Sequence, residues 1–566
     1  MRERHFQSEA VDASLAAYDA GVHKQLLVMA TGTGKTHCFG RLYEAMKTRL
    51  GGQMLVLAHT DDLVKQNRDR LEHMHGVANV SMEMGEYYAN PESPILSASV
   101  QTLGRKGTNR LDKFDWTNID KIVVDEAHHS TTDAYRRILE RAGVLEPSSR
   151  KLLFGVTATP QRTDGIALDS VYDKVIYLYP LRKAITDGWL VDIRGYCVRT
   201  TTSLEGVSKT DGDFSRKELS ERVNSPQRNQ QIVDVWGRVG EQRKTVIYCV
   251  DIEHAQRVAQ EFRVSGITAE AVWGDDVERR DKIQRHIHGQ TRVLCVCGLL
   301  IEGYDDPTIA CVILARPTQS TILLPQMVGR GTRLEDNINL KDRNPLDKVK
   351  RDVIVVYFID GNPAPSLVTL PTLMGMSNNL DLEGRSLLEV TEAVEALQED
   401  NPHVDFLNLD SLSGAKTLIE QVDLFQVRFP QEVKDSSELT WYKALTGGYK
   451  MLIPKEGPER QGVVRVYENV LGQWELDGEI NGEQFHGLRS SFEEAIKVTD
   501  EQIRKRVSKQ TLSCIVREAK WHNNPVTRGQ KKMLTMLFPW RKFDFSQVKS
   551  GEASKLITET ILKRKR

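Results

Sequence analysis

No apolar run in the 566-residue chain reaches the ~18 residues that a membrane-spanning helix needs, so no membrane partner is expected. The opening residues, MRERHFQSEA, lack the apolar core of an export signal. Seven cysteines, an odd number, are scattered along the chain without a CxxC pair. That spacing argues against a zinc site and more strongly against a disulfide framework, and it points to a reducing, cytoplasmic compartment. Neither sign of charge is in excess, since the net charge is −1. There is no internal repeat and no low-complexity tract. What is present, 40% hydrophobic and 27% charged residues, is an ordinary globular composition. The length exceeds what one core supports and implies two to four domains.

The near-zero net charge hides a segregation. Residues 501–566 hold 17 Lys/Arg against 5 Asp/Glu, whereas the first 500 residues hold 60 basic and 73 acidic side chains. A basic end of this kind suits a polyanion.

Up to about residue 362, short apolar runs alternate with stretches of helical period. Examples are LLVM (26–29), MLVLAH (54–59), KIVVD (121–125), KTVIYCV (244–250) and VIVVYFI (353–359). Continuous apolar runs are the pattern of strands buried on both faces, and their alternation with helices predicts a doubly wound α/β architecture. Two such domains are expected, 1–190 and 191–362. An acidic, partly helical linker (363–437), a small β-meander closed by a helix (438–500) and a basic helical module (501–566) should follow.

The segment LLVMATGTGKTH (26–37) runs from an apolar strand through a Gly/Thr loop into helical residues. Gly32 and Gly34, with Thr31 and Thr33 between and before them, let the backbone curl so that N–H groups face phosphate oxygens. Lys35 can reach the β- and γ-phosphates, and Thr36 can ligate Mg²⁺ at the helix N-terminus. The first glycine of the usual phosphate-loop pattern is absent; Met29 stands there. In KIVVDEAHH (121–129), Asp125 and Glu126 end a buried strand, where α/β sheets bind ligands. Asp125 is the candidate for holding Mg²⁺ and Glu126 for accepting a proton from the attacking water.

GTGKT, DEAH (125–128), TATP (157–160) and QMVGRGTR (326–333), in this order, resemble the motif set of superfamily 2 helicases. The likeness spans residues 1 to about 360 and is closest to the DEAH-box branch of type III restriction translocases and phage-type branch-migration helicases. It implies two tandem RecA-like domains, ATP and Mg²⁺ as cofactors, and a bacterial or phage-infected cell. It also implies roles for further residues. Gln7 would read adenine and Asp305 would lie near the ribose. Gln326, Arg330 and Arg333 would complete catalysis from the second domain, the two arginines sharing one helix face. His128, Thr157 and Thr159 would couple nucleotide state to the track. Thr60, Gln101, Thr102, Glu302 and Gly303 would contact nucleic acid.

In the basic end, Trp521, Trp540 and Phe543 lie among RKR, KK, RK and KRKR clusters. Cations for phosphates and rings for bases suit a nucleic-acid surface; core aromatics under a solvated charged face are the alternative. The expected function is an ATP-dependent DNA helicase or translocase acting on forked or branched DNA, with a protein partner possible through the C-terminal modules. An RNA helicase and the motor subunit of a restriction nuclease are the rivals.

Overall fold

The apolar runs become two parallel sheets in the computed structural model. It describes all residues except 1–3, 159–167, 211–212, 299–305, 337, 345, 361–366, 401–408, 410, 413–430, 444–447, 455–461, 469–472, 518–519, 539–542, 544, 546–547 and 565–566. The first sheet holds β1 (Lys24–Met29), β2 (Gln53–Ala58), β3 (Val80–Glu83), β4 (Ile95–Ser99), β5 (Ile119–Asp125), β6 (Leu152–Thr157) and β7 (Lys174–Tyr179). Their order is β3-β4-β2-β5-β6-β1-β7. β2, β4 and β6 are buried at every position, which is why they read as continuous rather than alternating apolar runs.

The second sheet begins with β8 (Asp192–Thr200). After a two-stranded ribbon of β9 (Lys209–Thr210) and β10 (Asp213–Phe214), it adds β11 (Thr245–Cys249), β12 (Ala269–Val272), β13 (Val293–Cys297), β14 (Cys311–Leu314) and β15 (Asp352–Asp360). The order is β12-β13-β11-β14-β15-β8. A buried ion pair, Arg228 to Asp360 with two N–H···O bonds of 3.0 Å, ties the helix Pro226–Val239 to the end of β15. Both sheets belong to one compact unit, Met1–Thr391. That unit also takes in the first part of the stretch read as a linker. Leu370 and Leu382 pack so closely on Gly195 of β8 that a Cβ there would lie 2.7 and 2.4 Å from them.

The second unit, Glu392–Arg566, contains a sequential antiparallel meander. Its strands are β16 (Tyr442–Lys443), β17 (Tyr449–Ile453), β18 (Gly462–Glu468), β19 (Trp474–Ile480) and β20 (Glu483–Arg489). Trp441 is fully buried in its core, with Trp474 and Phe485 packed against it. The helix Phe492–Arg506 closes the meander and buries Ala495, Ile496, Thr499 and Ile503 along one face. Asp500 on that face accepts from Ser437 Oγ at 2.6 Å and Trp441 Nε1 at 3.1 Å. A module boundary at 500/501 therefore falls inside a helix. The helix's basic last turn, Arg504–Arg506, complements the helix dipole. The meander core runs on to Ile515, and a separate small core gathers Val526, Leu534, Phe538, Val548 and Leu556. Among the described residues no helix is long and apolar enough to cross a membrane.

Candidate active site

Strand order brings distant motifs together. β5, β6 and β1 are neighbours, so the C-terminal ends of all three face one place although they lie far apart in the chain. Val28 of β1 is in register with Thr157 of β6, and Asp125 of β5 with Val156. Gly32 and Gly34 adopt φ of 88° and 90°, which a side chain would strain, and Gly34 caps the helix Lys35–Ala45. A Cβ at Gly34 would lie 2.5 Å from Gln7 Nε2. Gln7 in turn donates to the Thr33 carbonyl at 3.0 Å, so it braces the loop itself.

Lys35 Nζ donates to Glu126 Oε1 at 3.0 Å, with both side chains about one-tenth exposed (11% and 10%). Burial alone would push the Glu126 carboxyl up. The Lys35 ammonium, helped by His128 and His59, outweighs it and holds the carboxyl below its ordinary range. His128 Nδ1 stands 3.5 Å from Glu126 Oε2 and 3.3 Å from Thr157 Oγ1. Its ring lies 4.1 Å from that of His129, which lies 4.0 Å from that of His59. Three imidazoles thus lead from Glu126 to the residue before Thr60.

Asn67 is a buried residue that motif reading missed. Its Nδ2 donates to Asp125 Oδ2 at 2.9 Å, and its Oδ1 accepts from Thr36 Oγ1 at 3.3 Å. It joins the hydroxyl and the carboxylate that together offer hard oxygen ligands, the donor set that suits Mg²⁺. Leu63, Gln66 and Arg70 on the same helix, Asp61–His75, line the cleft above, as does Arg4. Leu63 and Arg70 stand four and three residues from Asn67, and that spacing was the available sequence signal.

Opposite, the helix Leu323–Gly331 packs Gly329 against Thr31, where a Cβ would come within 2.6 Å of Thr31 Cβ. Arg330 and Arg333 line the same cleft of about 300 Å³ as Lys35, Thr36, Asp125 and Glu126. They do not share a helix face, because the helix ends at Gly331 and Arg333 follows the cap residue Thr332. Regular helix stops at Gly331, two residues short of Arg333. Gln326 is 2% exposed and stands outside the cleft lining. A glycine cradle, an ammonium, two guanidinium groups and a hydroxyl–carboxylate pair together fit a magnesium-bound triphosphate.

The other expected residues are placed differently. Thr60 caps the helix Asp61–His75, its Oγ accepting from Leu63 N at 3.4 Å. Gln101 is exposed on a short helix, and Thr102 Oγ1 accepts from Gly85 N at 2.9 Å. Thr159, Glu302, Gly303, Asp305 and Trp540, and the side chain of Trp521, lie outside the described residues. Phe543 is half-buried and packs against the small core, its ring 5.9 Å from Phe538 and 5.6 Å from Phe545. An aromatic between basic residues served burial here, since a module this small needs its rings to make a core.

Residues 1–162 match the family model described as type III restriction enzyme, res subunit. The chain is 33% identical over 392 residues to the candidate ATP-dependent helicase IRC3 of Saccharomyces cerevisiae, covering 67% of this chain and 54% of that protein. It is 31% identical to the candidate mitochondrial ATP-dependent helicase irc3 of Schizosaccharomyces pombe, covering 67% of this chain and 60% of that one. The EcoAI type I restriction enzyme endonuclease subunit of Escherichia coli is 25% identical, with 65% of this chain and 49% of that one covered. The fold and these likenesses define a superfamily 2 protein built on tandem RecA-like domains. Within that superfamily the chain is similar to restriction-enzyme subunits and to the Irc3 helicases. It spans only 54% and 60% of the lengths of the two yeast relatives.

Proposed function

We propose that the chain is an ATP-driven motor on nucleic acid, with DNA as its track. The observation that carries this reading is the Lys35–Glu126 pair facing Arg330 and Arg333 across one cleft. In this reading Lys35 and the loop N–H groups hold the phosphates, Gln7 borders the base, and Glu126 takes a proton from the attacking water. Thr36 and Asp125, the latter oriented by Asn67, hold Mg²⁺, which when bound neutralises charge on the phosphate oxygens. Arg330 and Arg333 stabilise the transferring phosphoryl group. The His128–Thr157 contact then relays nucleotide state towards the strand ends, so that closing and opening of the cleft shifts one grip on the track against the other.

DNA is favoured over RNA by the likeness to restriction-enzyme subunits. That likeness also supports a protein partner for the C-terminal modules. Forks and branched DNA are the proposed substrates. The expected bacterial or phage-infected cytoplasm has a rival in the mitochondrial name of the fission-yeast relative, and fractionation separates the two. The function itself is tested by ATPase and unwinding assays at matched salt on single-stranded DNA, duplex, fork, four-way junction and RNA. Stimulation by RNA alone overturns the DNA assignment, and absence of stimulation by any of them overturns the motor.

A further inference from the structure

Away from the cleft, the first domain exposes two adjacent aromatic rings on a stiff turn. Tyr87 and Tyr88 are 57% and 63% exposed. Aromatic rings stabilise proteins chiefly by burial, so a rigid exposed pair calls for a partner. The turn is built, not loose. Met84 and Tyr87 exchange backbone hydrogen bonds of 3.1 and 2.8 Å around Gly85, whose φ is +56°. Ala89 N donates to Glu83 Oε2 at 2.8 Å and Asn90 N to Ser81 Oγ at 2.9 Å. Arg110 donates to the carbonyls of Gly85 at 2.6 Å and Tyr87 at 3.3 Å, and pairs with the buried Glu83. Its guanidinium lies 3.9 Å from the centre of the Tyr88 ring, and Lys113 Nζ lies 4.1 Å from it.

The same turn is pinned to a residue already expected on the track. Gly85 N donates to Thr102 Oγ1, which leaves the Thr102 hydroxyl hydrogen to be donated outward. Exposed Gln101, Arg105 and Lys106 flank Thr102. Of the nearby carboxylates, Glu83 is taken by Arg110 and Asp112 meets Arg141 at 3.3 Å, while Glu86 is exposed in the turn. With the Arg110–Glu83 pair set aside, Arg105, Lys106 and Lys113 still outnumber the open carboxylate Glu86 around two flat rings. That combination recognises a strand whose bases are unpaired: phosphates meet the cations and bases meet the rings.

We propose that Tyr87 and Tyr88, with Arg105, Lys106, Arg110 and Lys113, form a base-stacking contact for a single nucleic-acid strand. This rests on the nucleic-acid motor reading above and adds to it a contact outside the helicase motifs. The test is fluorescence anisotropy of the full chain with labelled oligo-dT and with an abasic oligomer of the same length. Tyr87→Ala/Tyr88→Ala is compared with Tyr87→Phe/Tyr88→Phe, and thermal melts verify folding. The alanine pair should bind oligo-dT about five-fold or more weakly, the scale of one lost base stack. It should bind the abasic oligomer as wild type does, and the phenylalanine pair should retain wild-type affinity for both. Wild-type affinity of the alanine pair for oligo-dT, or an equal loss on the abasic oligomer, overturns the stacking contact alone; in the first case a protein is the better partner for the turn. Failure of the wild-type chain to bind either oligomer overturns the single-strand contact, while the motor reading stands or falls on the duplex, fork and junction assays above.

Discussion

Replacing Glu126 by Gln isolates the proposed base from the pair that holds it. The amide keeps an oxygen where Lys35 Nζ now donates at 3.0 Å, so the loop should keep its shape. What is lost is the charge that takes the proton. A positioned general base contributes roughly 10²- to 10⁴-fold, or about 3–5 kcal/mol of barrier. Glu126→Gln should therefore lower kcat at least a hundred-fold. ATP binding should be unchanged or tighter, because Lys35 is no longer held by a carboxylate and is freer for phosphate. The assay is steady-state phosphate release with saturating DNA, paired with equilibrium binding of a fluorescent ATP analogue. A kcat within a few-fold of wild type would refute the assignment of Glu126, and loss of nucleotide binding would refute the claim that the amide preserves the loop.

The same pair has a signature in stability. The folded Glu126 carboxyl is depressed below its unfolded value, so its contribution is complete above the ordinary carboxylate range and is lost as pH falls through the folded value. Lys35→Met leaves the buried carboxylate without its main counter-charge, at a cost of roughly 3–5 kcal/mol near neutral pH. Denaturant titrations should show that deficit shrinking as the medium is acidified, and a deficit independent of pH would count against the pair. Asn67→Ala removes a buried hydrogen bond to Asp125, which should cost about 1 kcal/mol and raise the Mg²⁺ concentration needed for half-maximal ATPase; melts and a Mg²⁺ titration check both. Arg330→Ala and Arg333→Ala should each reduce kcat, towards the 10³-fold or more that an arginine finger supplies, and lysine should not restore it. Gly329→Ala places a methyl against Thr31 and should raise the ATP KM by holding the cleft apart. Truncation after residue 519 spares the meander core and removes 12 Lys/Arg against 3 Asp/Glu. It should flatten the dependence of log affinity on log salt, and an unchanged slope would show that the basic end makes no phosphate contacts.

The geometry of the loop at 31–36 was legible in the sequence because it is local. A strand, two glycines and a helix N-terminus lie within a dozen residues, and φ > 0 at Gly32 and Gly34 follows from steric rules alone. The acidic pair at 125–126 was legible for the same reason, as was the run of buried strands. Other features depended on which strands became neighbours. Asn67 carries no motif, and only the adjacency of β2 and β5 brings its helix over Asp125. The end of the helix at Gly331, the meander core that runs past Asp500, and the packing of Phe543 on the small core all reflect packing that periodicity and charge do not encode. Tyr87 and Tyr88 look like ordinary strand-end residues until Arg110, more than twenty positions later, fixes their turn. The sequence by itself determined which groups are candidates for phosphate chemistry. The tertiary structure decided which of them meet, because bringing distant groups together needs the non-local pairing of β5, β6 and β1, a choice set by the whole core rather than by any segment of it.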